Sequence, residues 1–296
     1  MTLHLQRVEP LVRAALREDI GRGDVTSRAL LPSSTQARAV IITQEPGCLA
    51  GVPVARLAFQ LCDPSLRCRV LVPDGRSVGA QTAVLRVEGR LRSILAAERT
   101  AINLLGHLSG IATLTRAFVR RAAGTRASIM DTRKTMPGLR YVEKYAVRQG
   151  GGVNHRADLH EMVLIKSRHL DALDTLARER PVAYHRISDR LIGEAVARAR
   201  RHAPRHRVQL EVRNLREFTA ALEARPDLIL LDNMSLAEIR QAVRLRRARR
   251  ARMPLEISGR VNLQTVRAQA RTGVERISVG ALTHSARWLD FALRLA

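Results

Sequence analysis

Apolar positions recur at helical spacing over residues 8–19, and Gly21 to Asp24 interrupt the pattern. Short β-type runs follow at 37–43, 68–72 and 82–87, with Pro73-Asp74-Gly75 as a turn signal among them. From 91 to about 122 the spacing predicts one long helix, apolar at Ile94, Leu95, Ile102, Leu105 and Leu108. Beyond it the texture changes. Apolar runs at 127–130, 162–165, 208–210, 228–231, 255–257 and 277–279 alternate with helical stretches. Two of these, 215–224 behind Asn214 and 236–247 behind Ser235, carry an N-cap residue at the right place. Such alternation predicts βα units and a parallel sheet. Six strands without a Gly-rich dinucleotide turn favour a closed barrel over an open sheet; Gly150-Gly151-Gly152 follows a helical pattern, not a strand.

Each predicted barrel strand ends on a chemically distinctive residue. In order these are Asp131-Thr132-Arg133-Lys134, Lys166, Glu211, Asp232-Asn233, Ser258-Gly259 and Gly280. Parallel barrel strands present their C-terminal ends on one face, and catalytic groups collect there.

Composition narrows the picture. The chain has 296 residues with 51 basic and 27 acidic side chains, a net charge of +24, yet 46% hydrophobic content excludes a disordered polyelectrolyte. No apolar run approaches the roughly 18 residues of a membrane span, and the first residues lack a signal-peptide pattern. Cys48, Cys62 and Cys68 form neither a CxxC pair nor an even set, which points to a reduced, cytoplasmic protein. Only three of the 51 basic residues are lysines, leaving 48 arginines, and Lys134, Lys144 and Lys166 all fall between 131 and 166. An ammonium is a compact point charge that a planar guanidinium does not replace in a tight anion site, so this segment is the first functional candidate.

The basic excess also raises nucleic-acid binding. Its densest runs, 198–207 and 244–252, lie in or beside helical segments, where charge marks a solvated face. Aromatics at 3% are too few for a base-stacking platform. An enzyme acting on small anions is the better reading.

Three clusters carry the candidate chemistry. The cationic one is Arg99, Arg133, Lys134, His155, Arg156 and Lys166, suited to gripping carboxylates; for His155 alone a structural role stays open. The acidic one is Glu211 and Asp232, a hydroxyl clamp or Mg2+ site, with a buried Arg pair as the alternative. The third is Ser258-Gly259 with Ser278-Val279-Gly280, small turns where backbone amides can hold phosphate.

With these residues the chain resembles the quinolinate phosphoribosyltransferase family nearly end to end. The resemblance rests on 17–24, Ala97-Glu98-Arg99-Thr100, 108–113, Asp131-Thr132-Arg133-Lys134-Thr135, 143–148, 150–156, Leu231-Asp232-Asn233 and 278–285. It implies an N-terminal α/β sandwich over 1–112, an incomplete α/β barrel over 113–284, and a C-terminal helix over 285–296 packing back on the first domain. The implied reaction joins quinolinate and phosphoribosyl pyrophosphate into nicotinate mononucleotide, releasing pyrophosphate and CO2 with Mg2+ as cofactor, in NAD biosynthesis. The implied assembly is a homodimer or a higher oligomer, with active sites shared between subunits. By matching position, Arg99, Arg133, His155, Arg156 and Lys166 would hold the pyridine dicarboxylate. Lys134 would face the phosphoribosyl pyrophosphate, with Lys134, Lys166, Glu211 and Asp232 as the catalytic set. Glu211 and Asp232 would hold ribose hydroxyls and metal, directly or through water. Ser258, Gly259, Ser278 and Gly280 would take the 5′-phosphate.

The sequence departs from the family pattern in four places. Ser167-Arg168-His169 stands where an acid and Asn usually precede the His; Gln209 replaces a Glu; Gln44 stands where an Arg is frequent. The connection from 168 to 192 is longer than usual. Two alternatives follow: a relative with a different acceptor or lost activity, resembling the molybdenum-transport-associated paralogues, or a polyanion-binding protein built on the same scaffold.

Overall fold

The computed structural model describes residues 3–178 and 188–295. The chain opens with α1 (Leu5–Ile20), α2 (Val25–Leu30), β1 (Gln36–Thr43), β2 (Gly47–Cys48), α3 (Val52–Cys62), β3 (Arg67–Val70), β4 (Ser77–Val78), β5 (Ala83–Arg90) and α4 (Leu91–Ala122). It continues with β6 (Ser128–Met130), α5 (Arg140–Gln149), β7 (Val163–Ile165), α6 (Ser167–Arg178), α7 (Asp189–His202), β8 (Val208–Val212) and α8 (Leu215–Ala224). The last elements are β9 (Leu228–Asp232), α9 (Leu236–Ala248), β10 (Leu255–Ser258), α10 (Val266–Ala270), β11 (Arg276–Ser278), α11 (Ala281–His284) and β12 (Phe291–Leu295). Two compact units result: Met1–Ala117 with Lys134–Asn154 and Gly280–Ala296, and Phe118–Arg133 with His155–Val279.

The first unit is built on an antiparallel sheet of order β12-β1-β5-β3. Ile41, Leu85, Phe59 and Ile94 are fully buried in its core. Helix α3 begins on apolar residues with no capping side chain of its own. Asp74 supplies the cap from a distance, accepting the amides of Gly51 and Val52 at 2.8 and 3.0 Å, while Tyr145 Oη donates to it at 2.7 Å. Burial pushes the Asp74 carboxyl up, and these bonds only partly offset the shift.

The expected C-terminal helix is instead strand β12, antiparallel to β1 with Phe291 opposite Thr43. Phe291, Leu293 and Leu295 alternate with Ala292 and Arg294, and five residues beside an open sheet edge satisfy their backbone better as a strand than as a frayed helical turn.

The second unit carries a parallel sheet of order β6-β11-β10-β9-β8-β7. It is an incomplete α/β barrel, not a closed ring. β6 and β7 follow one another in sequence yet stand at opposite edges, because the chain between them, Lys134–Asn154, belongs to the first unit. Strand period and register sort the side chains cleanly. Val212 lies opposite Leu231, which faces Ile257, which faces Ile277, which faces Ile129, a buried apolar layer. The alternate face holds Gln209, Glu211, Asp232, Glu256, Ser258 and Ser278, so one side of this sheet is polar and converges on the strand C-termini. Helices α8 and α9 start where sequence placed them: Asn214 accepts from the Glu217 amide, and Ser235 forms a reciprocal capping box with Glu238. Of the long connection from 168 to 192, residues 179–187 lie outside the described residues.

Candidate active site

The C-terminal rim of the parallel sheet gathers the second unit's candidate residues. After β6, Asp131 is buried and accepts the His155 amide at 2.8 Å, tying the 155–156 segment to the end of that strand. Arg133 is exposed and lies close enough to Arg156 for the two charges to interact. Burial first, and then the Arg133 charge, hold the Arg156 guanidinium below its ordinary value, with Asp158 opposing. Two guanidinium charges within electrostatic reach of one another favour an anion between them. Arg156 is fixed at its tip as well, where a guanidinium N–H donates to the Met162 carbonyl at 2.8 Å.

Lys166 follows β7, its backbone locked by the first turn of α6. Its amide donates to His169 Nδ1 at 2.9 Å, and the His169 amide donates back to its carbonyl at 2.8 Å, while the side chain is exposed. On β8, Glu211 Oε1 accepts both the amide and the hydroxyl of Ser167, at 3.1 and 2.7 Å. Glu211 therefore satisfies an amide at the start of α6. On β9, Asp232 lies opposite Ser258 of β10, and Asn233 donates its side-chain amide to Asp232 at 2.8 Å and its backbone amide to the Ser258 carbonyl at 3.0 Å. Gly259 has φ +89°, and a Cβ there would stand 2.3 Å from Asn233 Oδ1, so the position demands glycine on both counts.

Beneath the rim is a buried polar cluster. Glu256 is fully buried and accepts from Ser278 Oγ at 2.6 Å and from Gln209 Nε2 at 3.0 Å. His155 Nε2 lies 3.3 Å from Glu256 Oε1 and 3.1 Å from Gln209 Oε1. Burial pushes the Glu256 carboxyl up, but the hydrogen bonds from His155, Ser278 and Gln209 outweigh it and hold the group below its usual value. The Ser278 hydroxyl thus turns inward to Glu256, which leaves its backbone for the phosphate role that the resemblance implies.

The remaining candidates, Arg99, Lys134 and Gly280, belong to the first unit. Arg99 is exposed on α4. Lys134 is exposed, its carbonyl accepts from Thr283 Oγ1 at 2.7 Å, and a Cβ on Gly280 would lie 3.0 Å from its Cδ. Glu143 braces the same loop, accepting the Met136 amide at 3.3 Å and pairing with His107 at 2.9 Å. Among the described residues no group of three or more His, Cys, Asp or Glu side chains could hold a metal by itself.

Comparison with known proteins matches these two halves to two family models. One, described as quinolinate phosphoribosyl transferase, C-terminal domain, covers residues 111–294; the other, described as the N-terminal domain of the same enzyme, covers 24–109. The chain belongs to the quinolinate phosphoribosyltransferase family. Within that family, the carboxylating nicotinate-nucleotide pyrophosphorylase of Mycobacterium leprae (strain TN) is 41% identical over 287 residues, 96% of this chain and 95% of its own. A probable enzyme of the same name from Synechocystis sp. is 38% identical over 290 residues, 97% of this chain and 92% of its own. The solved nicotinate-nucleotide pyrophosphorylase of Francisella tularensis superposes with a TM-score of 0.88 at 34% identity, covering 100% of this chain and 98% of its own.

The family's departures acquire a physical reading here. Ser167 is a donor to Glu211, and Gln209 bridges Glu256 and His155. Gln44 accepts from Gln81 Nε2 at 3.0 Å within the first unit. Sequence reasoning missed Glu256 altogether. Its signal was an acid between Leu255 and Ile257, in line with the alternation Val208-Gln209-Leu210-Glu211-Val212.

Proposed function

We propose that the chain transfers a phosphoribosyl group from phosphoribosyl pyrophosphate to quinolinate, with decarboxylation, at the C-terminal rim of its parallel sheet. It is a phosphoribosyltransferase of NAD biosynthesis, with the carboxylating nicotinate-nucleotide pyrophosphorylase activity of its full-length relatives. The observation that carries the site assignment is the close pair Arg133 and Arg156 on the same rim as Glu211 and Asp232. A doubly charged aromatic acid answers the first pair, and an electron-poor ribose answers the second.

Arg133, Arg156 and Lys166 bind and orient the two carboxylates. Breaking the C1–pyrophosphate bond builds oxocarbenium character on the ribose, which the carboxylates of Glu211 and Asp232 stabilise from fixed positions. The quinolinate nitrogen takes C1, and its positive charge then draws the electrons left when the adjacent carboxylate departs as CO2. The ring is its own electron sink, so no covalent nucleophile is required. Lys134 neutralises the departing pyrophosphate. The Ser258-Gly259 turn receives the 5′-phosphate through its backbone.

Two carboxylates are a fitting donor set for Mg2+, which takes oxygen ligands and is commonly shared with substrate phosphates. Glu211 and Asp232 would hold it, and bound there it would supply charge neutralisation of the diphosphate. We further propose a homodimer in which the first unit of each copy covers the other's rim, bringing Arg99 to the acid; its exposure on α4 supports this. No helix among the described residues is long and apolar enough to cross a membrane. With Cys48, Cys62 and Cys68 all present as thiols, a cytoplasmic setting is part of the proposal.

The test is formation of nicotinate mononucleotide from quinolinate and phosphoribosyl pyrophosphate with Mg2+. Lys134→Ala and Glu211→Ala are each expected to lower kcat at least a hundredfold with little change in Tm. Near-normal rates in both would overturn the site assignment.

A further inference from the structure

We propose that the second unit binds the phosphate backbone of double-stranded DNA at the end of its parallel sheet opposite the catalytic rim, through arginines that the fold collects from separate stretches of chain. The inference stands apart from the catalytic reading above.

The sheet explains the collection. Its strands are parallel, so their first residues all lie at one end, a strand length of about 10–17 Å from the rim. Five of the six strands are entered beside an arginine: Arg126 precedes β6, Arg207 β8, Arg225 β9 and Arg252 β10, and Arg276 opens β11. Neighbouring strands stand about 4.8 Å apart, so these cations follow one another closely. The same end receives the last turns of α7 and α9, which carry Arg200-Arg201-His202 and Arg246-Arg247. Side chains tie the segments into one surface. Arg200 donates to the Arg225 carbonyl at 2.7 Å, Arg249 pairs with Glu223, and Arg267 of α10 donates to the Arg121 carbonyl at 3.3 Å. The two basic runs, far apart in sequence, thus meet at the end of α8.

Acids on this face are few and already engaged. Glu275 takes Arg246 at 2.7 Å and Arg126 at 3.3 Å, Asp227 lies 3.5 Å from Arg200, and Glu223 holds Arg249. Arg201, Arg205, Arg207, Arg225, Arg250 and Arg252 are exposed and meet no acid among the described residues. The helix dipole accounts for a cation in a last turn, such as Arg201, but it fades within that turn and does not reach Arg205, Arg207 or Arg252. Arg225 and Arg250 hold left-handed backbone, φ +52° and +51°, just past α8 and α9, where glycine is the less strained residue. Charge is kept there at a backbone cost.

The surface also selects among polyanions. Guanidinium groups grip phosphate in two-point fashion. The segments that build the face, 118–127, 198–207, 223–227, 244–254 and 267–276, expose no large apolar side chain, so nothing there enters a lipid bilayer. Their one Phe, Tyr or Trp ring, Phe118, is buried, which leaves no platform for an unpaired base. A duplex carries its charge outside and its bases already stacked, so it fits such a face without regard to sequence. The rim at the other end of the strands stays open.

The experiment is fluorescence anisotropy of a labelled mixed-sequence duplex titrated with the full chain. Engagement of about five phosphates gives a slope of log K against log salt of about −4.5, roughly a 500-fold loss between about 50 and 200 mM. Arg205→Gln, Arg207→Gln, Arg250→Gln and Arg252→Gln together are expected to bring that slope to about −1. Arg67→Gln, Arg69→Gln, Arg86→Gln and Arg294→Gln remove the same charge from exposed positions on the first unit's antiparallel sheet. That control is expected to change affinity by less than about threefold. Equal losses in the two variants would reveal general attraction to net charge and overturn the face. So would no duplex binding at the lowest salt, tighter binding of a single strand than of the duplex, or displacement of the duplex by anionic vesicles. Product formation from quinolinate is expected to stay within about twofold in both variants, with or without duplex. A larger loss confined to the face variant overturns its separation from the rim. If the wild-type chain makes no product, the catalytic reading fails and the binding result still decides this one.

Discussion

Replacing Ser167 by Ala removes one bond from Glu211 and leaves the other. The hydroxyl donates at 2.7 Å to a carboxylate oxygen that also accepts the Ser167 amide at 3.1 Å. Ser167 is buried, while Glu211 is partly exposed. A hydrogen bond to a charged acceptor contributes about 1.5–3 kcal/mol, and partial exposure of the carboxylate places this one near the lower end. A loss of about 1.5 kcal/mol is roughly tenfold in kcat/KM. Because Glu211 faces the sugar in the proposed site, the loss should fall on kcat/KM for phosphoribosyl pyrophosphate, with the quinolinate KM within about twofold of wild type. The assay is steady-state product formation with each substrate varied in turn, repeated in a Glu211→Gln background. There Ser167→Ala should add almost nothing, since residues in contact are not additive. An unchanged kcat/KM, or an equal tenfold loss in both backgrounds, would show that Ser167 does not act through Glu211.

Three further outcomes are expected. Gly259→Ala combines a left-handed backbone with a Cβ driven into Asn233, so it should lower Tm by several degrees and weaken phosphoribosyl pyrophosphate binding, read by calorimetry, as Asn233 leaves Asp232. The Arg90 guanidinium, opposed by burial and helped by Ser93 and Ser65, holds the Asp63 carboxyl well below its usual value. That contribution is complete above the unfolded aspartate value near 3.9 and is lost as pH falls through the depressed folded value, so the Tm gap between wild type and Asp63→Asn should narrow steadily below about pH 4. A gap that widens on acidification would contradict it. Mixing Arg99→Ala with Glu211→Gln, each strongly impaired alone, under subunit exchange should recover about a quarter of wild-type activity if a site draws on two copies; no recovery in confirmed mixed dimers argues for a site within one chain.

Local signals carried much of the fold. Helix α4 was legible from its 3.6-residue period, and α8 and α9 because that period coincided with caps close in sequence, Asn214 and Ser235. Helix α3 escaped notice because its cap, Asp74, lies 22 residues from Val52. The resemblance implied a helix where β12 stands; five residues hold too few turns for their own period to decide, and the edge of β1 decided it. At the site, residues that end strands were visible as a series. The interior cluster was not, since Glu256, Gln209 and His155 come from three separate stretches that only strand register brings face to face. Gln209 was visible as an oddity, but its two-way bonding requires knowing what stands opposite.

The scarcity of lysine has a practical side. Lys144 is buried at 4% exposure, which leaves Lys134 and Lys166 as the exposed primary amines among the side chains. An acylating reagent, an amine-directed cross-linker or an amine-coupled sensor chip would therefore react at an α-amino group or at one of the two lysines that the proposed site assigns to substrate charge. On the proposed assignment, immobilising this protein through its amines would blind it, whereas the same chemistry run with substrate present would footprint those two lysines almost without background.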